Sequence, residues 1–278
     1  MKTLRSLYKK YKSVSDFLRP MDIPLHGAHT GFFFIMSVFP SLLLLLGILR
    51  HTNYGVQDLM ELLEGFVPQS LISSVEYLIE TIYRHTSGTV VSVSVLVMLW
   101  SASKGTYGLL LGFNAVYGID DRHSYLQKRS ISVVYTFLFL VALVLTIVIH
   151  VFANAIADYL WMTTDPSIMF LLNVIDLSFL LPLLLQTILF TAMYALHPGQ
   201  RHELRTSLPG ALLASFGWSV YTRLFSIYVE YFTTYTNIYG SIYALALGML
   251  WLYFCICILF YGGAFNRYLA ERNSTKEK

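Results

Sequence analysis

Apolar runs long enough to cross a bilayer, which takes about 20 residues, recur along the chain with polar intervals between them. The first is Gly31–Leu49, GFFFIMSVFPSLLLLLGIL. The second starts near Thr89 and drives through Trp100. The others are Ile131–Ala153, Ile168–Leu196, Leu208–Val229 and Gly240–Phe265. This pattern predicts an all-α membrane protein with six transmembrane helices, held in one domain over residues 25–266. The fourth run is long enough to tilt, or to kink at Pro182. Pro40 falls inside the first.

The interval 50–88 carries a different period. Leu71, Val75, Leu78, Ile79 and Ile82 recur at helical spacing, with Glu76 and Glu80 on the opposite side. Val56–Phe66 repeats the pattern, and Pro68 divides the two. Two amphipathic helices are predicted in this outer loop. They serve as a cap over the bundle, or as a gate or docking element for an envelope protein through residues 56–83.

Charge placement orients the spans, because cytoplasmic loops carry the excess of Lys and Arg. The tail 1–24 holds Lys2, Arg5, Lys9, Lys10, Lys12 and Arg19. Lys104, Arg122, Lys128 and Arg129 lie between spans two and three, Arg201 and Arg205 between four and five, and Arg267, Arg272, Lys276 and Lys278 in the tail 267–278. Of the 19 basic residues, only Arg50 and Arg84 fall in the opposite loops, and Arg223 falls within a span. Both termini are therefore expected in the cytoplasm. Composition agrees: 56% of residues are hydrophobic and 13% charged, about half the charged share of a soluble domain. The mean hydropathy is +0.59. A net charge of +3 gives no support for nucleic-acid binding. Membrane lipids are the expected partners, and self-association into a homo-oligomer is left open. Cys255 and Cys257 share one apolar run, so no disulfide framework is expected.

The second span contains an interruption. In MLWSASKGTYGLLLGFNAVYGIDD (98–121), Lys104 and the glycines Gly105, Gly108, Gly112 and Gly118 break the apolar run. Counting inward from Thr89, a hydrocarbon core of about 30 Å ends near Tyr107 or Gly108. Two readings remain. In one, Lys104 is an interfacial anchor whose stem snorkels to the headgroups. Residues 109–117 then form a separate amphipathic helix along the cytoplasmic face, closed by Gly118 as its C-cap. In the other, the helix breaks at Ser103–Gly105 inside the bundle, and Lys104 binds an anionic group.

These residues also resemble a family. WSASKGTYGLLLGFNAVYG, the first span with Phe39-Pro40, and SLPGALLASFGWSVYTRLFSIYV with IYGSIYALALGMLWLYF are similar to the corresponding spans of the BrkB/YihY family, formerly labelled ribonuclease BN. The resemblance covers most of residues 25–266 and implies a six-helix bacterial inner-membrane protein without a defined activity. It also implies an acidic residue at the end of the last span. This chain reads GGAFN there, with Ala264 in the acidic place.

Polar groups inside spans are costly and face protein or a water-filled cavity. Asn173 and Asp176 in the fourth span and Arg223 in the fifth lie about 10–12 Å from the outer ends of their helices by rise per residue. They form a packing ion pair or a polar cavity open to the outside, or Arg223 snorkels outward on its own. Lys104 is the fourth candidate binding residue. Small-residue stripes, Gly240/Ala244/Gly248 and Ala211/Ser215/Ser219, are expected at helix contacts. No Walker-type loop, HExxH motif or clustered acid–base set occurs, and His150 stands alone in the third span. Neither enzyme activity nor a metal or cofactor is expected. The favoured function is a transporter or exporter of a lipid or small amphipathic solute, without its own ATPase. The alternative is a non-catalytic envelope scaffold.

Overall fold

A computed structural model describes residues 12, 14–49, 60, 76, 77, 79, 80, 88–119, 177–196, 204–231 and 236–276. All regular structure among these residues is helical. A 3-10 turn, Arg19–Met21, precedes five helices: α1 Ile23–Leu49, α2 Gly88–Tyr117, α3 Leu177–Ala195, α4 Leu204–Tyr231 and α5 Thr236–Lys276. Two segments, Gly88–Tyr117 and Leu245–Asn273, are long and apolar enough to cross a membrane. The predicted span Ile131–Ala153 lies outside the described residues.

Side-chain neighbours give each helix its direction. Gly108 faces Thr30 and Gly105 faces Phe34, so α1 and α2 run antiparallel. Gly27 faces Cys257, Gly31 faces Tyr253 and Gly248 faces Ile35, so α1 and α5 do as well. α2 and α5 run parallel, with Gly112 against Phe260 and Gly263 against Val116. α4 runs against α5: Gly210 meets Gly262, Gly217 meets Ile258, and Trp251 Nε1 donates to Thr222 Oγ1 at 3.3 Å. The Phe190 and Trp218 rings sit 5.6 Å apart, while Tyr194 and Ala214 both border Gly262. α3 is therefore antiparallel to α4 and parallel to α2 and α5. The start of α1, the ends of α2 and α3, the start of α4 and residues 259–267 of α5 gather at one end of the bundle.

The core is densest at that end. Phe113, fully buried, packs edge-on to Phe260 at 5.2 Å and to Tyr194 at 5.8 Å, and stacks on Tyr117 at 6.4 Å. The outward face of α4 is the reverse: Leu208, Leu212, Leu213, Phe216, Val220, Leu224 and Ile227 are all exposed. A continuous apolar face of this kind suits contact with lipid rather than water.

α2 corrects the expected interruption. The helix runs without a break from Gly88 to Tyr117 over 30 residues, about 45 Å by rise per residue. No break occurs at Ser103–Gly105. Residues 109–117 are not a separate amphipathic helix: Leu109, Leu110, Phe113, Val116 and Tyr117 are core residues. The physical reason is packing. Ser101, Gly105, Gly108 and Gly112 recur at spacings of four, three and four, and all are buried. That row of small side chains lets α1 and α5 approach α2 closely. A Cβ on Gly108 would lie 2.5 Å from Thr30 Oγ1, and one on Gly105 2.8 Å from the Phe34 ring. Close packing offsets the roughly 1 kcal/mol that each helical glycine costs.

Other boundaries shift outward. α1 begins at Ile23 rather than Gly31, with Pro24 in its first turn, where a missing N–H is harmless. α5 extends to Lys276, so most of the expected basic tail is helical. α3 continues through Pro182, and Pro40 is buried within α1. Met60, Glu76, Tyr77, Ile79 and Glu80 are described positions of the expected outer loop 50–88. Met60 and Ile79 are buried there, and Glu76, Tyr77 and Glu80 are exposed. Leu71 and Val75 lie outside the described residues.

Candidate functional site

The gathered helix ends are held by a polar lock. Asn266 of α5 sits between α4 and its own helix. Its Oδ1 accepts from the Gly210 N–H at 2.6 Å, and its Nδ2 donates to the Ser207 carbonyl at 2.9 Å. The Tyr194 hydroxyl, fully buried, donates to the Leu259 carbonyl at 2.7 Å. α2 ends as expected at Gly118, whose φ of 65 suits glycine. Ile119 N–H donates to the Asn114 carbonyl and Gly118 N–H to the Ala115 carbonyl, the two bonds of a Schellman cap. Arg267 completes this end. Its Nη1 donates to the Val116 carbonyl at 2.9 Å, its Nε donates to Glu271 at 2.8 Å, and its guanidinium lies 5.8 Å over the Phe17 ring.

Farther along the α1–α2 contact lies a second group of polar side chains. Lys104 is exposed on α2 and acts electrostatically on His29 of α1. His26 stands one turn before His29 on the same helix, and the two rings also act on each other. Thr30 and Ser103 carry buried hydroxyls that meet no hydrogen-bond partner among the described residues. Phe33 and Trp100 border the group, their rings edge-on at 5.7 Å. The helix pair thus presents one cation, two imidazoles and two unsatisfied hydroxyls within a few turns, a set suited to binding an anionic oxygen group.

The remaining predicted residues do not join this group. Arg223 is exposed on α4 and forms no ion pair among the described residues. Asn173 and Asp176 lie outside the described residues, so the expected Asp176–Arg223 level does too. Tyr221 turns onto α5 instead, with its hydroxyl 3.4 Å from the Leu250 carbonyl and its ring 5.4 Å from Phe254. Ala211 and Ser215 are fully buried, as a packing stripe requires. Of the other stripe, Gly248 makes only ordinary contact, 3.8 Å to Ile35, and for Gly240 and Ala244 only the helical backbone is described. The tightest α4–α5 approach is at Gly210 and Gly262 instead. Among the described residues, no three His, Cys, Asp or Glu side chains come together as metal ligands would.

His26, His29, Thr30, Gly210, Gly262 and Asn266 carried no signal when the sequence was taken span by span. His29 and Thr30 precede the apolar run, and only the longer α1 brings them beside Lys104. Asn266 and Gly210 are 56 residues apart, beyond any local pattern.

Comparison with known proteins decides the family. The family described as Virulence factor BrkB matches residues 16–278. The chain belongs to the BrkB family. Its relatives include a Bacillus subtilis (strain 168) protein called "Putative ribonuclease-like protein YfkH", 27% identical over 91% of this chain and 92% of that one. A "UPF0761 membrane protein" of Psychromonas ingrahamii is 24% identical over 92% of this chain and 88% of its own. One of Photobacterium profundum, "UPF0761 membrane protein PBPRA3489", is 30% identical over a third of this chain, 33%, and 29% of its own. No solved structure matches. This BrkB-family chain is an integral protein of a bacterial membrane, and its long apolar helices and exposed apolar α4 face agree with that.

Proposed function

We propose that the chain is a six-span inner-membrane protein, with both termini in the cytoplasm, that moves a lipid or small amphipathic solute across the bilayer without an ATPase of its own. Helix direction supports the span count. α2 and α3 run parallel, so the chain between them must recross the membrane an odd number of times. The apolar run Ile131–Ala153 has the length for one crossing. Arg19, Arg205, Arg267 and Arg272 lie at the end where α2 and α3 finish, which the positive-inside rule assigns to the cytoplasm.

The single observation carrying the transport reading is the position of Lys104. It lies eight residues before Gly112, which meets Phe260 beside Tyr261, about 12 Å along the helix from the level where the apolar surface of α5 gives way to charge. A lysine stem does not snorkel that far. A charge at such depth is retained where it faces protein or water and serves a pathway, and His29 of α1 lies within electrostatic reach of it. In this reading Lys104 meets the anionic part of the cargo, and no bond in the cargo is broken. The word ribonuclease in the Bacillus relative's name is not carried over, because the sequence holds no clustered acid–base or metal-ligand motif.

The test is lipid movement in sealed vesicles. Protein is reconstituted with a headgroup-labelled phospholipid whose outer-leaflet fluorophore is quenched by dithionite. Wild type is expected to expose the inner-leaflet probe at least tenfold faster than protein-free vesicles. Lys104→Gln is expected to lose most of that rate while staying inserted, and Lys104→Arg to keep it. Equal rates with and without protein would end the lipid-transport reading. Equal rates in wild type and Lys104→Gln would remove Lys104 from it.

A further inference from the structure

At the inner end of the bundle, a cavity of about 360 Å³ opens between the N-terminal segment, the start of α1 and α5. Its walls include Val14, Leu18, Pro24 and Tyr261, and two opposite charges, Arg19 and Asp22, line the same space. Both charged residues are exposed, and neither forms an ion pair with the other or with any other described residue. Their positions are fixed by backbone. Arg19 opens the 3-10 turn, and Asp22 closes it in the left-handed region at φ 42, where its carbonyl accepts the Leu25 and His26 N–H groups that start α1. The segment is held on α5 by Phe17, whose ring meets Tyr268 edge-on at 5.7 Å beneath the Arg267 guanidinium.

The level of the cavity matters as much as its lining. On α5 it opens at Tyr261, below the exposed apolar Leu245, Leu250 and Phe254 and above Arg267 and Arg272. This is where a lipid-facing surface gives way to charge, the depth of phospholipid headgroups. The exposed Val14, with Leu18 and Pro24, gives the opening apolar surface suited to acyl chains.

We infer that this cavity binds the headgroup of a zwitterionic phospholipid of the phosphoethanolamine type from the cytoplasmic leaflet. Arg19 pairs with the phosphate, Asp22 pairs with the ammonium, and Tyr261 borders the headgroup. Charge complementarity selects this class. A purely anionic headgroup gains one attraction at Arg19 and meets one repulsion at Asp22, whereas a phosphate–ammonium pair satisfies both charges. Binding here is independent of transport, and its test reads binding alone.

The experiment is native mass spectrometry of the purified full chain, titrated with phosphatidylethanolamine, phosphatidylglycerol or free phosphoethanolamine. One phosphatidylethanolamine is expected to be retained at least tenfold more tightly than phosphatidylglycerol. Free phosphoethanolamine is expected to bind far more weakly, because it brings no acyl chains to the apolar flank. Asp22→Asn keeps a side chain tolerated in the left-handed region. It is expected to cost about tenfold in phosphatidylethanolamine affinity and to raise that for phosphatidylglycerol. Arg19→Gln is expected to weaken both. Equal retention of the two lipids by wild type overturns the assignment. So does unchanged selectivity in folded Asp22→Asn, or binding of free phosphoethanolamine as tight as that of the lipid. Thermal melting of each variant identifies any that fails to fold. If Asp22→Asn does fail, Arg19→Gln alone must show the loss of both lipids, and its absence is equally decisive.

Discussion

Gly262→Val is expected to remove nearly all folded protein from the membrane. A Cβ at this position would lie 2.5 Å from the Tyr194 hydroxyl, 2.6 Å from the Gly210 carbonyl oxygen and 2.7 Å from the Ala214 Cβ. None of the three can yield. Tyr194 is fully buried and pinned by its bond to Leu259, the carbonyl belongs to the α4 backbone, and Ala214 is fully buried on the same helix. α3 and α4 would both have to move away from α5. Overpacking a tight core costs about 1–3 kcal/mol when side chains can adjust, and more when backbone must shift. Fluorescence-detected size-exclusion chromatography of a tagged protein checks this: the monodisperse peak should fall to a small fraction of wild type. Gly88→Val is the control, because nothing stands within 4 Å of a Cβ there. A Gly262→Val peak equal to that of the control would mean that the α3–α4–α5 contact is looser than described.

Asn266→Leu is the second large effect. Leucine keeps the branched four-atom side chain of asparagine with bulkier methyl ends, so the change removes both hydrogen bonds and adds crowding against α4. It removes the acceptor of the Gly210 N–H and one of two donors to the Ser207 carbonyl, which still accepts within α4. A buried hydrogen bond is worth about 0.5–1.5 kcal/mol, and a buried donor left unpaired costs about 1–3 kcal/mol. For a chain of this size the melting temperature should then fall by roughly 3–18 °C. Ser207→Ala separates this cause from general disturbance. It removes a buried hydroxyl that has no partner among the described residues and leaves the backbone carbonyl in place. That variant should be neutral or slightly stabilising. Thermal unfolding in detergent compares the two, and similar losses in both would refute the assignment of the lock to Asn266.

How legible these features were in the sequence depended on their range. Apolar runs mark the helices because lipid leaves the backbone no alternative to a helix. Gly118 was legible as a cap because capping is local. Hydropathy alone placed the ends of α1 and α5 too far inside, since helices that project beyond the core carry polar residues there. Gly105 and Gly108 were ambiguous taken singly. With Ser101 and Gly112 their four–three–four spacing describes a packing seam, and a seam favours a continuous helix over a break. Lys104 was visible as an anomaly, but its setting was not, because His29 and Thr30 come from another helix. Asn266 and Gly210, and the Arg19–Asp22 cavity, depend on contacts between distant segments or on a single left-handed turn. Neither leaves a periodic trace.

Thiol labelling at position 104 tests most directly whether α2 carries a water-accessible polar group deep in the membrane. Cys255 and Cys257 are buried, at 0% and 5% exposure, so the native background should be low. Lys104→Cys in reconstituted vesicles is expected to react readily with a small charged methanethiosulfonate reagent. Leu96→Cys, 69% exposed on the same helix, is expected to face lipid and stay unlabelled. A Cys at position 104 as inert as one at position 96 would contradict the polar pathway and leave Lys104 a residue facing only hydrocarbon.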